Sequence, residues 1–560
     1  MSRSRPFVVF LAAAAASFPV AGGDPSTGAA PRRAEVRRAE WARRMEDLSP
    51  ASGAAALPVE IRVAPSAEAQ AADDGDTAFA TYAIRHHRVE VHVAADAPER
   101  VDLVSPALAS ARFLAAHPEA ARRPVLLAGY GAFRAGTWWG RPAAGWAAML
   151  RAAGALPDAT DLCREGGIAA TPSMLAVGAA AAAVDAWARA DGEDAVEDAL
   201  AAGDAPVARI RAALADAAAR PFSAPRPRPL PRDPLRGVTF AMENSVAGSY
   251  LSRRSSATLG RLRSDGANAV AVIPYAFQRG ADAPELRFPG RNPRGETDEG
   301  VLRAIENARA RGMASLVKPQ IWLWRGFTGD IAMRSDADWK EWFRQYRAYL
   351  VRYAVVAEAA GAEMFDVGVE LCATERRERE WRETIRAVRA ATGAPLVYSC
   401  NWGKGVDAVP FWDALDAIGV DFYDPLSAAG NPTDAELAAG ARGAARPLAA
   451  ASARFGKPVY LTEVGFPSVA GAWLAPNDEE SPRPFSAKDP ARCARAVFAA
   501  LAGESWCRGM FWWKAFSDGH EAETGRKSFN VLGRPIEAAI REGFRKMGQT
   551  RIPDGSTRPD

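Results

Sequence analysis

The chain has 560 residues, long enough for two or three domains, and 48% of them are hydrophobic, enough to bury a large core. With 70 basic and 67 acidic residues the net charge is only +3, whereas a nucleic-acid binder needs a clear basic excess. Five cysteines without a C-x-x-C pair read mostly as buried thiols, one disulfide remaining possible, and five histidines without H-E-x-x-H argue against a zinc enzyme.

Residues 1–22 have the layout of a secretory signal peptide: Arg3 and Arg5, the apolar stretch Phe7 to Ala16, then Pro19 and Gly22. The stretch is short for a membrane span, and no later segment reaches about 18 uninterrupted apolar residues. The expectation is export to the periplasm or the outside, without stable membrane insertion. Residues 23–57 read as an Ala/Pro-rich tether in which Pro31 to Leu48 could form a surface helix. Residues 58–218 read as a small α+β module, with strand-like alternation over Leu57 to Val63 and Ala80 to Ala94. Helical patterns follow near 101–117, 142–154, 171–190 and 205–218. His86, His87 and His92 fall in the second strand stretch, where adjacent residues face opposite sides, so a three-histidine metal site is not expected. Residues 219–236 form a proline-dense linker, a semi-rigid spacer.

From 237 to 548 short apolar runs alternate with amphipathic helices, and 549–560 read as a tail. The runs are Val238–Met242, Ala267–Pro274, Ala314–Ile321, Phe365–Glu370, Pro395–Asn401, Ala417–Tyr423, Pro458–Glu463 and Gly509–Trp513. Helices fit between them, for example Asp298–Arg311, Asp336–Ala360 and Glu378–Thr392. Strands separated by helices imply right-handed βαβ units and a parallel sheet. Eight of them predict a closed (β/α)8 TIM barrel, an α/β fold, behind the smaller α+β module. A doubly wound sheet would need a Gly-rich phosphate turn after its first strand, and Ala241-Met242-Glu243-Asn244-Ser245 has none.

Polar and aromatic residues gather at the strand ends. They include Asn244 at strand 1, Lys318, Gln320 and Trp322 at strand 3, Asn401 and Trp402 at strand 5, Asp421 and Tyr423 at strand 6, and Trp512, Trp513 and Lys514 at strand 8. Flat aromatic faces beside amide and carboxylate groups are what a glycan site requires, so these are the candidate substrate-binding residues. Glu370 and Glu463 end the apolar runs of strands 4 and 7. A carboxylate ending a buried strand is costly unless it is used or paired. Two of them are the minimum for glycoside hydrolysis, and strand C-termini are where a barrel projects its catalytic groups.

Several stretches together resemble glycoside hydrolase family 113 over residues about 236–546. They are Gly237 to Asn244, Lys318-Pro319-Gln320-Ile321-Trp322-Leu323, Gly329 to Met333, Val367-Gly368-Val369-Glu370-Leu371, Thr462-Glu463-Val464-Gly465-Phe466 and Phe511-Trp512-Trp513-Lys514. The resemblance implies a retaining, β-mannanase-like hydrolase with Glu370 as acid/base and Glu463 as nucleophile, acting on a polysaccharide or oligosaccharide with no metal or organic cofactor. Many enzymes of the wider clan carry Asn just before the acid/base; here it is Val369, so a hydrogen bond to the sugar 2-hydroxyl must come from elsewhere, with Asn401 and Asn244 as candidates. The alternative from another class is a catalytically silent glycan-binding or envelope scaffold protein, which would keep the aromatic cleft and not depend on the glutamates.

In the first module, Arg123 to Phe133 resembles a zinc-peptidase helix with Gly129, Tyr130 and Phe133 in place of H-E-x-x-H ligands and base. Thr171 to Gly178 resembles the segment that supplies the third ligand in gluzincin peptidases, with Val177 at the Glu position. That resemblance implies a degenerate peptidase-like module without its zinc ligands.

Overall fold

Eight of the apolar runs become the staves of one closed barrel. The computed structural model describes residues 29–48, 57–164, 173–242, 248–288, 290–403, 405–521 and 525–549. The leader reading of 1–22, Asn244 and the tail from 550 onward lie outside the described residues. The barrel strands are β1 (Leu235–Ala241), β2 (Ala269–Val272), β3 (Ala314–Val317), β4 (Met364–Val369), β5 (Leu396–Asn401), β6 (Ile418–Phe422), β7 (Val459–Val464) and β8 (Cys507–Phe516). Each pairs in parallel with its neighbours, and β8 pairs with β1 to close the ring. The outer helices include α1 (Arg253–Ser264), α2 (Asp298–Arg309), α3 (Asp336–Ala360) and α4 (Glu378–Ala391). Later helices are α5 (Gly405–Ala408), α6 (Asp434–Phe455), α7 (Lys488–Leu501) and α8 (Pro535–Gln549).

Alternation along each stave sorts its side chains. Leu235, Ala269, Ala271, Leu316, Met364, Val397, Ala417, Tyr460 and Phe511 fill the barrel interior. The opposite faces pack under the helices, as a barrel buried on both sides requires.

Proline marks the ends of two staves: Pro274 closes the predicted run Ala267–Pro274, and Pro319 cuts the predicted run Ala314–Ile321. Pro274 follows β2 and Pro319 follows β3, and neither has an N–H to continue the ladder. The chain resumes at once as two rim strands, Tyr275–Gln278 and Gln320–Leu323, paired in parallel, with Leu286–Arg287 antiparallel on the other side of the first. This small sheet stands beyond the ends of β2 and β3, beside the mouth.

The first module holds a three-stranded sheet in the order Val59–Ala64, Arg88–Ala94, Ala80–Arg85. His86 and His87 are not strand residues: they form the hairpin turn, with φ of 49° and 58°. Two successive positive φ values suit the right-handed twist of the flanking strands. The predicted tether also differs. Helix Ala29–Asp47 docks through Trp41, 3% exposed, because an indole on its inner face is worth burying. Helices Pro124–Arg134 and Ser173–Asp191 pack so closely that a Cβ on Gly129 would lie 2.5 Å from the Ala180 Cβ. Tyr130 is a core residue whose hydroxyl donates to Glu197 at 2.6 Å. All five cysteines are free thiols, four of them buried. Among the described residues no helix is long and apolar enough to cross a membrane.

The module grips the barrel's flank at both ends. Glu68 accepts the Arg253 amide at the N-terminus of α1, Arg100 donates to the Ala360 carbonyl at the end of α3, and Arg141 donates to Ala391 at the end of α4. Anions at helix N-termini and cations at C-termini both oppose the helix dipole. The proline-rich linker is docked too. The Arg228 amide donates to Gly393, its guanidinium reaches Glu358 at 2.8 Å and Ala362 at 2.9 Å, and Leu230 packs on the interior cluster at the barrel floor.

Candidate active site

One register row crosses three staves at the mouth: Asn401 of β5 pairs with Asp421 of β6, and Asp421 with Glu463 of β7. Shifts of register fall beside this row, between Val420 and Asp421 and between Leu461 and Val464. Such irregularities re-aim side chains at a barrel rim. Glu463 is 6% exposed and surrounded by donors. Lys318 Nζ donates to its Oε1 at 2.6 Å, Gln320 Nε2 to the same oxygen at 2.8 Å, and the Tyr423 hydroxyl to Oε2 at 2.8 Å. Three donors on two oxygens are the surroundings an ionised, acceptor-only carboxylate uses.

Lys318 is wholly buried and also donates to Asp421 Oδ1 at 2.8 Å. Burial works against its charge, but Asp421, Glu463 and Asp366 outweigh it and hold the ammonium above its usual range. Below lies a polar chain inside the barrel. Thr462 donates to Asp421 at 2.9 Å, Ser399 lies 2.7 Å from Thr462, and Ser399 also bonds Asp366. Burial pushes the Asp366 carboxyl up to about 7 despite Lys318, and burial with the Glu463 charge pushes Asp421 up as well.

Glu370 differs from Glu463. It follows the last residue of β4 with φ of 52°, a left-handed conformation that costs a non-glycine residue roughly 1 kcal/mol or more. Its amide is held by the Ser399 carbonyl at 2.8 Å. Burial, and then the charges of Asp421 and Glu463, raise its carboxyl well above the usual range, with Lys318 as the smaller opposing influence. The neighbouring arginines are committed elsewhere: Arg377 pairs with Asp336 and Glu380, and Arg376 sits over Trp339. Glu463 likewise pairs with Lys318, whereas Lys514 Nζ lies over the Trp513 and Phe516 rings. A carboxyl held above its usual range beside one ringed by hydrogen-bond donors is an arrangement that two-carboxylate acid–base chemistry can use.

The structure thus brings Lys318, Gln320, Asp421, Tyr423 and Glu463 into one bonded cluster, with Glu370 and Asn401 alongside. Trp402, Trp513 and Lys514 are partly exposed at the ends of β5 and β8, and Trp322 is 55% exposed on the rim sheet. Trp512 is a correction. It is fully buried with its ring 5.1 Å from that of Phe498 in α7, because alternation along β8 turns Phe511 inward and its neighbour Trp512 outward under the helices. Trp512 is therefore a core residue, not a cleft residue. Sequence reasoning missed Asp366, Ser399 and Thr462. The signal was present, since a charge or hydroxyl inside an apolar run needs a partner, but the partner is set by cross-barrel register.

The sequence profile of Glycoside Hydrolase Family 113 matches residues 238–534, which lie within the barrel domain and exclude the first module. Among solved structures, a GH113 β-1,4-mannanase in complex is similar at 26% identity and a TM-score of 0.51, over 56% of this chain and 99% of that one. The GH113 β-mannanase AaManA from Alicyclobacillus acidocaldarius, in complex with ManMIm, is similar at 26% identity and a TM-score of 0.50, over 56% of this chain and 98% of that one. No curated protein matches the chain. The barrel is that of a glycosidase. The chain belongs to Glycoside Hydrolase Family 113.

Proposed function

We propose that the protein is a retaining glycoside hydrolase cleaving β-linked polysaccharide of the β-1,4-mannan type, with Glu463 as nucleophile and Glu370 as acid/base. The observation that carries this reading is the unequal setting of the two carboxyls. Glu463 is encircled by Lys318, Gln320 and Tyr423, and Glu370 has surroundings that retain a proton. The similar β-1,4-mannanases support the substrate class.

In the first step a Glu463 oxygen bonds the anomeric carbon as the bond to the leaving oxygen breaks, and Glu370 delivers its proton to that oxygen. In the second step the now ionised Glu370 takes a proton from water, and the water oxygen replaces Glu463 at the anomeric carbon. Lys318 and Tyr423 hold the attacking carboxylate in place and receive it back when the ester breaks. With Val369 before the acid/base, we assign the contact to the 2-hydroxyl to Asn401. We place the reaction outside the cytoplasm, on the support of the leader-like residues 1–22.

The test is reducing-sugar release from β-mannan, glucomannan, xylan, cellulose and chitosan. Mannan-type substrates are expected to be cleaved, and Glu463→Ala and Glu370→Ala should each lower kcat by about 10²-fold or more. Retention of the anomeric configuration, read by NMR during early turnover, is the second expectation. Inversion, or full activity in either variant, would discard the assignment.

A further inference from the structure

The rim sheet has two unlike faces. Residues paired in register point to the same side: Tyr275 with Gln320, Ala276 with Ile321, Phe277 with Trp322, and Gln278 with Leu323. Ala276, Gln278, Ile321 and Leu323 are buried against the barrel's flank, where Gln278 accepts from the Trp342 indole at 3.0 Å. The other face carries Tyr275, Phe277, Gln320 and Trp322, and the alternation extends to Trp324. An outward sheet face is ordinarily polar. Here Trp322 is 55% exposed and Trp324 73% exposed, and Phe327 just beyond is 41% exposed. Among the described residues only Val36 and Ile84 are other large apolar side chains so exposed. Aromatic area concentrated in this way marks a binding surface.

Its position says what binds. The face begins at Gln320, whose amide donates to Glu463 at 2.8 Å, and the Tyr275 ring meets Trp322 edge-on at 5.8 Å. From Gln320 to Trp324 the track runs roughly 13 Å at the rise of an extended chain, longer than one sugar unit. A surface continuous with the nucleophile is reached first by the molecule that carries the scissile bond. Open indole faces suit the C–H faces of pyranose rings, and Arg287, exposed on the same face opposite Phe277, adds hydroxyl-binding donors.

We infer that the rim sheet is a binding track for the sugar chain, on which Trp322 and Trp324 seat units beyond the cleaved bond. This rests on the reading of Glu463 and Glu370 as the cleaving pair. The enzyme then works best on chains long enough to reach Trp324.

The experiment is kcat/KM over a β-1,4-manno-oligosaccharide series from dimer to hexamer, for wild type, Trp324→Ala and the remote control Ile84→Ala. Wild-type kcat/KM should climb with chain length. Trp324→Ala should lower the hexamer-to-shortest-substrate ratio by about tenfold or more, the discrimination one apolar contact supplies. Ile84→Ala should move it less than about twofold, a surface change away from the track. An unchanged ratio in Trp324→Ala overturns the track. Should wild type cleave no manno-oligosaccharide, the proposed substrate is wrong, and the track is then read by affinity electrophoresis of Glu463→Ala on mannan, glucomannan, xylan and cellulose. Retardation lost on adding Trp324→Ala supports it, and no retardation on any glycan overturns it. Wild-type self-association abolished by Trp324→Ala would also overturn it, making the patch a contact between copies.

Discussion

At the scale of single residues, the site turns on how few cations serve many acids. Asp366, Glu370, Asp421 and Glu463 share the buried Lys318, so some of these carboxyls must keep protons. Asp421 is one of the charges that raise Glu370. Replacing it with Asn removes that charge, so Glu370 should release its proton at lower pH. The expected result for Asp421→Asn is an alkaline limb of the kcat/KM profile displaced toward acid; an unmoved limb would show that Asp421 does not tune Glu370. Glu463 was legible in the sequence, because a carboxylate closing an apolar run needs a reason to be there. Lys318 was legible as a strand-end residue but not as the partner of Asp421, since that pairing depends on which staves face each other across the mouth. Trp512 was misread because aromatic content was weighed without the strict alternation that turns Phe511, Trp512 and Trp513 to successive sides.

At the scale of elements, all eight staves were legible as apolar runs, because a parallel barrel buries both faces of its strands. Their upper ends were less so. The run Ala314–Ile321 looked continuous through Pro319, yet that proline separates a stave from a rim strand, and the rim strand that follows Pro274 was not anticipated. The linker was legible as proline-rich and spacer-like. Its docking was not, because its partners Glu358, Ala362 and Gly393 lie far along the chain. Arg228→Ala would remove a paired guanidinium from Glu358 and from the Ala362 carbonyl. The expected cost is about 1–3 kcal/mol in urea unfolding, with the barrel and module still unfolding together. A change below about 0.3 kcal/mol would mean that the linker only lies nearby.

At the scale of the whole molecule, buried acids set how stability responds to pH. Burial raises Glu296, Asp366 and Glu375 each to about 7. Unfolded, such groups titrate near 4. Between about 4 and 7 the folded chain therefore holds more protons than the unfolded one, and stability falls as pH rises through that window. The carboxyls held low by arginine or backbone partners, such as Asp413, Glu341 and Glu436, lose their contribution only at more acid pH. The thermal midpoint should be higher near pH 5 than near pH 8, and Asp366→Asn should flatten the difference. A midpoint that rises from pH 5 to pH 8 would contradict this balance.

The closure of β8 onto β1 also has a consequence in time. The two strands begin about 270 residues apart, so a chain delivered from its N-terminus, at roughly 5–20 residues per second when the ribosome sets the pace, presents β1 tens of seconds before the neighbour that seals it. Throughout that wait the sheet has an unsealed edge, the kind that recruits strands from other chains. The first module and linker are already synthesised by then, and the surfaces they will grip on α1, α3 and α4 emerge one after another beside them. The module and linker thus precede, along the chain, every barrel helix end that they hold in the folded protein.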